Sequence, residues 1–131
     1  MFDAEMTVLT EEGRRALGQV VTMLLESWEL PAAERAALLG LQCDLVTRLS
    51  AYRAGAKPLP DHAEILERAE NLVSIHRALG RVFPGNAEER YDWVRQSNRR
   101  FCAGRAPLDV MLDGGLPAIR RVKSAVESLL T

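Results

Sequence analysis

The chain has 131 residues, 47% hydrophobic and 27% charged, with a net charge of −1 at pH 7. That length holds one compact core and excludes two independent domains, and the composition excludes disordered and fibrous classes. Near-zero net charge excludes indiscriminate coating of nucleic acid, which depends on neutralising many phosphates, so any such contact has to come from a local patch.

The N-terminal "MFDAEMTVLT" is acidic and lacks the basic start of a secretory signal, and no apolar run reaches the ~18 residues of a spanning helix. Cys43 and Cys102 make no disulfide framework, CxxC pair or Cys/His cluster for zinc. A reduced, cytoplasmic protein is expected.

The first helix is read from Leu17, Val20, Val21, Leu24, Leu25 and Trp28, which recur on one helical face behind a Thr10 cap and the acidic first turn Glu11 and Glu12. A short second helix follows, with Pro31 at its first position and Gly40 as a left-handed stop. The third, about Gln42 to Arg53, carries Leu45, Val46, Leu49 and Tyr52 and ends in "AGAKPLPD", the expected subdomain boundary. Asp61, with Glu64 three residues on, is expected to cap the longest helix, whose inner side holds Ile65, Leu66, Ala69, Leu72, Val73, His76 and Leu79. Asn86 and Glu89 repeat the capping pattern for a fifth helix containing Tyr91, Trp93 and Val94. Pro107 then opens a short helix with Leu108, Met111 and Leu112 that ends at Gly114 or Gly115. Pro117 opens the last, striped by Ile119, Val122, Val126, Leu129 and Leu130. No segment alternates like a strand, so the protein is expected to be all-α, with a core built by the first, fourth and last helices and with Trp28 and Trp93 buried.

Catalytic signatures are missing: His62 and His76 have no HExxH spacing, there is no GxSxG, and the glycines of "GRAPLDVMLDGG" lack the preceding strand of a dinucleotide loop. No enzyme, cofactor or metal is expected, and His76 reads as a packed histidine. The second and third helices have the small residue and the turn glycine of a helix-turn-helix, Ala36 and Gly40, with Leu39, Leu41, Val46 and Leu49 as its core. Gln42, Cys43, Asp44, Thr47, Arg48 and Ala51 would face a major groove, where Gln42 and Arg48 could read base edges while Asp44 repels phosphate. Arg53 and Lys57 add positive charge. Three packed helices with no DNA role fit the same residues.

Between Asp92 and Asp109 stand Arg95, Arg99, Arg100 and Arg105 without a carboxylate, and Arg120, Arg121 and Lys123 add to this charge from the last helix. Phe101, Pro107 and Met111 lie among them. Arginine, aromatic and methionine side chains are frequent interface anchors, so Arg99, Arg100, Phe101, Arg105, Met111 and Arg120 are the candidate partner-binding residues, with Leu108 and Leu112 holding the short helix to the core. A solvated basic face is the alternative.

The succession "LLESWELPAAERAALLGL", "IHRALGRVFPGN" and "DWVRQSNRRFCAGRAPLDVMLDGG" resembles the Xre/MbcA/ParS family of antitoxins, from about Leu17 to the end. The matching positions in the C-terminal part are Trp93, Asn98, Phe101, Gly104, Pro107, Leu108, Met111, Leu112 and Gly115, with Ser97 where the family commonly has proline. The resemblance implies an Xre-like helix-turn-helix region over 1–57, a long connecting helix over 58–85 and a toxin-binding region over 86–131. It also implies a RES-domain toxin that consumes NAD as partner, inhibition by covering that toxin's active-site cleft, and operator DNA bound by a homodimer. A stand-alone helix-turn-helix transcriptional regulator is the alternative function.

Overall fold

A computed structural model describes residues 9–41 and 48–130. Among these the chain is helical and has no strand: α1 spans Glu11–Ser27, α2 Ala32–Leu39, α3 Leu49–Ala54, α4 Ala63–Val82, α5 Ala87–Arg95, α6 Arg99–Cys102 and α7 Pro107–Ser128. The all-α expectation holds. No helix of the described residues is long and apolar enough to cross a membrane.

Local chemistry sets most helix ends where the sequence places them. Thr10 accepts a hydrogen bond from the Gly13 amide at 2.9 Å, and the Asn86 side chain accepts from the Glu89 backbone amide at 3.0 Å while its Nδ2 donates to the Glu89 carboxylate at 2.6 Å, an N-cap whose side chain is itself held by the residue it caps. Gly40 closes α2 at φ +75, in the left-handed region that glycine enters without steric cost. Two boundaries differ. Pro31 is the residue before α2 rather than its first. Asp61 does not cap α4: His62 precedes the helix and makes no side-chain cap, because its amide turns back onto the Pro60 carbonyl at 2.8 Å and delays the helix by one residue. Of the third helix, Leu49–Ala54 is described, whereas Gln42 to Thr47, with Leu45 and Val46, lie outside the described residues.

The core is organised around α4, which packs on α1 along one side and on α7 along the other. Its Ala69, Leu72, Ile75 and Leu79 are completely buried. α1 contributes Val21, Leu24 and Leu25, α7 contributes Ile119, Val122 and Val126, and Leu38, Leu39 and Val94 close the ends. The expected three-helix core is therefore present, with Trp28 buried and Trp93 half-buried. Val20, expected on the inner face of α1, is 40% exposed. The buried side of α1 is rotated toward Gly18, where a Cβ would lie 3.2 Å from Leu59 Cγ and 3.6 Å from Tyr52 Cβ; the close approach of those two residues turns Val20 outward. At the other end of the chain, Leu129 is half-buried and Leu130 exposed, so the last helix's stripe stops short of its final residues.

The two helices expected on either side of Gly115 are both present within the span α7, and they meet at that residue, whose φ +68 and ψ −150 are non-helical and break the helix there. Pro117 costs little there, since its missing N–H falls where the ladder is already interrupted. Leu108 and Met111 are buried beneath the first limb, and Leu112 is half-buried against the core. The chain also forms the one-turn α6, which helical periodicity does not reveal. Gly115 occupies a region of backbone space open essentially only to glycine, and an added Cβ would meet the Arg68 guanidinium at 3.3 Å. Replacing Gly115 by Ala is expected to lower stability by ~1–3 kcal/mol, measurable by urea unfolding; an unchanged midpoint would show that the bend relaxes.

Candidate functional site

Asn98 ties residues 98–105 into a closed loop. Its side chain accepts from the Phe101 amide at 3.0 Å, its carbonyl accepts from the Cys102 and Gly104 amides, and its own amide donates to the Arg105 carbonyl at 3.0 Å. The return turn passes through Ala103 and Gly104, both with positive φ. A single residue thus satisfies the ends of α6 and fixes where Arg99, Arg100 and Phe101 emerge.

Phe101 stands at one wall of an open groove of about 490 Å³, whose other lining residues are Arg120, Arg121, Ser124, Ala125 and Ser128 of α7. The Arg100 guanidinium lies over the Phe101 ring, 5.0 Å from its centroid, a cation–π contact that holds charge beside an apolar surface. Arg99 and Arg121 are exposed and form no ion pair among the described residues. Arg120 is engaged by Glu67 of α4, and Arg105 by Asp113 at 3.3 Å. Burial pushes the Cys102 thiol above its ordinary range, and the nearby Arg121 and Arg105 oppose that shift, which places both cations around the same short loop. The arrangement offers an apolar floor with cationic rims, suited to binding an acidic, partly apolar surface.

Of the expected partner-binding residues, Phe101 and Arg120 line the groove and Arg100 stacks on Phe101, while Arg99 is exposed in the same turn and Arg105 pairs with Asp113. Met111 is not at this surface: it is 1% exposed, beneath the first limb of α7. Pro107 is buried as well. The bend at Gly115 explains this, because the first limb lies on the core and the second limb carries the groove. Arg95, counted in the positive stretch, turns away and donates to the Trp28 and Glu29 carbonyls at the C-terminal end of α1. Ser124, Ala125 and Ser128 carry no sequence signal of their own, although they follow Arg121 at helical spacing beside the core stripe, with Ala125 itself buried.

The candidate DNA-reading residues are less concentrated. Gln42 and Thr47 lie outside the described residues, with Cys43 and Asp44. Arg48 is exposed beside Tyr52, whose hydroxyl burial pushes up while Arg48 opposes the shift. Arg53 donates to Glu26 at 3.2 Å, a carboxylate that Arg35 also reaches, and Lys57 is exposed beyond Gly55. Among the described residues no group of His, Cys, Asp and Glu is placed to hold a metal ion.

Set against known proteins, the chain matches no family model and no curated relative.

His76 is half-buried, and burial, with Arg90 and Arg77 nearby, holds its imidazole below the ordinary value of 6.5. The unfolded chain therefore binds this proton at a higher pH than the folded chain, so stability rises with pH through the interval below about 6.5 and levels off above it. Melting temperatures between pH 5.5 and 7.5 are expected to show this rise, and His76→Gln is expected to flatten it. A slope unchanged in the variant would assign the dependence to other groups.

Proposed function

We propose that the chain is a non-enzymatic antitoxin that binds a RES-domain, NAD-consuming toxin through residues 86–131 and covers its active-site cleft, and that it also represses its own operon. The observation that carries the reading is the Asn98-closed loop, which sets Phe101, Arg99 and Arg100 beside the cationic groove of α7. Its residues belong to the stretch that resembles the family's toxin-binding region, and a shaped, positive and partly apolar surface serves recognition of a protein better than it serves catalysis. For operon repression the support is the Ala36 and Gly40 pair followed by the exposed Arg48.

Co-purification of a tagged copy from its native cell tests the class directly, with a stoichiometric partner that consumes NAD when freed as the expected outcome. Operator binding with no co-purifying partner would instead favour the stand-alone regulator. Within the site, Arg121→Glu is expected to leave melting within ~0.5 kcal/mol of the parent, as exposed substitutions do, yet to weaken toxin binding by several kcal/mol, as charge reversal in a complementary interface does. Full inhibition by this variant would remove Arg121 from the interface. In a mobility-shift titration, Arg48→Ala is expected to weaken operator binding more than Arg53→Ala, because Arg53 is already engaged by Glu26. Equal affinity of both variants and the parent would exclude Arg48 from reading DNA.

A further inference from the structure

A second cationic cavity, of about 570 Å³, lies where α1, α2 and α3 meet. The proposed toxin-facing surface makes no use of it. Ala32 and Arg35 face it from α2, and Ser50 and Arg53 from α3, each pair three residues apart and so on one side of its helix. Glu26, in the last turn of α1, stands between the two arginines, and Leu49 and Ala54 join Ala32 in an apolar wall. α2 starts at this cavity without a side-chain cap, so the positive end of its dipole adds to the two guanidinium charges.

The two arginines lack good acceptors. Arg35 Nη1 donates to Glu26 Oε2 at 3.5 Å and Arg53 Nε to Glu26 Oε1 at 3.2 Å, both long beside the ~2.7–2.9 Å of a well-formed guanidinium bond to carboxylate or phosphate. Arg35 Nε is shut away from water and has no hydrogen-bond partner among the described residues. A buried donor in that condition is rare and destabilising, and it points to an acceptor that the folded chain does not itself provide. Glu26 is poorly placed to serve as one. Its two oxygens are already divided between two guanidiniums, it sits at the negative end of the α1 dipole, and its side chain is 42% exposed, enough to turn out into solvent.

We propose that this cavity binds the phosphate monoester of a small organic molecule, its phosphate held by Arg35, Arg53 and Ser50 in place of Glu26 and its organic part lying on Ala32, Leu49 and Ala54. The charge fits. A phosphate monoester brings about −1.5 to −2 near neutral pH and three acceptor oxygens, which two guanidiniums and a hydroxyl match once Glu26 has turned out. A carboxylate has one charge and two oxygens in a plane, and Glu26 shows that such a group reaches both arginines only at long distance. A backbone phosphate of nucleic acid is a diester with a single charge, so it leaves one arginine unbalanced. The size fits as well, since small-molecule sites run from ~300 to ~1,000 Å³. The cavity shares no residue with the Phe101 groove and the proposal stands whether or not the antitoxin reading does.

Calorimetric titration of the full chain with phenyl phosphate is expected to show saturable one-to-one binding. It should be at least about tenfold tighter than binding of inorganic phosphate, which lacks the apolar part, or of benzoate, which lacks the second charge. The melting temperature should rise with phenyl phosphate concentration, because only the folded chain has the site. Arg53→Met, at an exposed position, should weaken binding at least about tenfold with little change in melting of the free chain. Glu26→Gln should tighten it about tenfold, since the internal competitor and a repelling charge leave together; a Glu26 that serves only to brace the arginines gives no such gain. Arg121→Met, in the Phe101 groove, should leave affinity unchanged. Absence of saturable binding overturns the proposal, as does inorganic phosphate binding as tightly as phenyl phosphate, the mark of an adventitious ion only. So does binding that Glu26→Gln weakens or that Arg121→Met abolishes. Duplex DNA binding that Arg53→Met abolishes, with phenyl phosphate inert, would assign the arginines to backbone phosphates and overturn it too.

Discussion

Burial of α4 on two sides is the constraint on which the rest of the molecule depends. A helix whose Ala69, Leu72, Ile75 and Leu79 are all removed from water needs a partner on each flank, and only α1 and the second limb of α7 are long enough to supply one. Each buried leucine contributes on the order of 2 kcal/mol relative to exposure. Once α4 is sandwiched, the remaining elements have narrow choices. α2, with Leu38 and Leu39, and α5, with Val94, fill the rest of the same core.

Arginines make much of this arrangement tolerable for the backbone. Helix C-termini leave carbonyls without partners, and long guanidinium side chains reach them from neighbouring elements. Arg68 of α4 donates to the Ala37 and Leu38 carbonyls at the end of α2 while held by Glu64, and Arg95 of α5 does the same for α1. Arg15 reaches the Gly55 carbonyl after α3 at 2.8 Å, and Arg14 links the start of α1 to the Leu59 carbonyl. Each bond joins elements distant in sequence, and those of Arg68, Arg95 and Arg15 also place a cation at the negative end of a helix dipole. Arg68 also lies beside Gly115, so the end of α2 and the bend of α7 are built around one side chain.

The break at Gly115 separates two tasks between the helical limbs on either side of it. Before Gly115 the chain spends its large apolar residues on the core; after it, one side of the helix packs on α4 and the other is left with Arg121, Ser124 and Ala125 around an open groove. Asn98 then brings the α6 turn over the groove from the opposite direction. The proposed toxin-facing surface is thus made of two pieces of chain about twenty residues apart, each held by its own local device.

Helix identity and most helix ends were legible in the sequence, because caps at Thr10 and Asn86, glycine stops at Gly40 and the 3.6-residue apolar period act over a few neighbouring residues. The core stripes of the first, fourth and last helices were legible for the same reason. The α6 turn was not, since four residues held by one Asn side chain carry no period. Nor could periodicity tell which arginines are engaged: Arg95 and Arg99 are alike in sequence and both exposed, yet Arg95 donates to carbonyls at the end of a helix sixty-odd residues away. Met111 and Val20 changed places with expectation by the same logic. Spacing states which residues share a face, but the neighbour that covers that face is chosen by how α4, Leu59 and the Gly115 bend come together, and those contacts exist only between elements far apart in the chain.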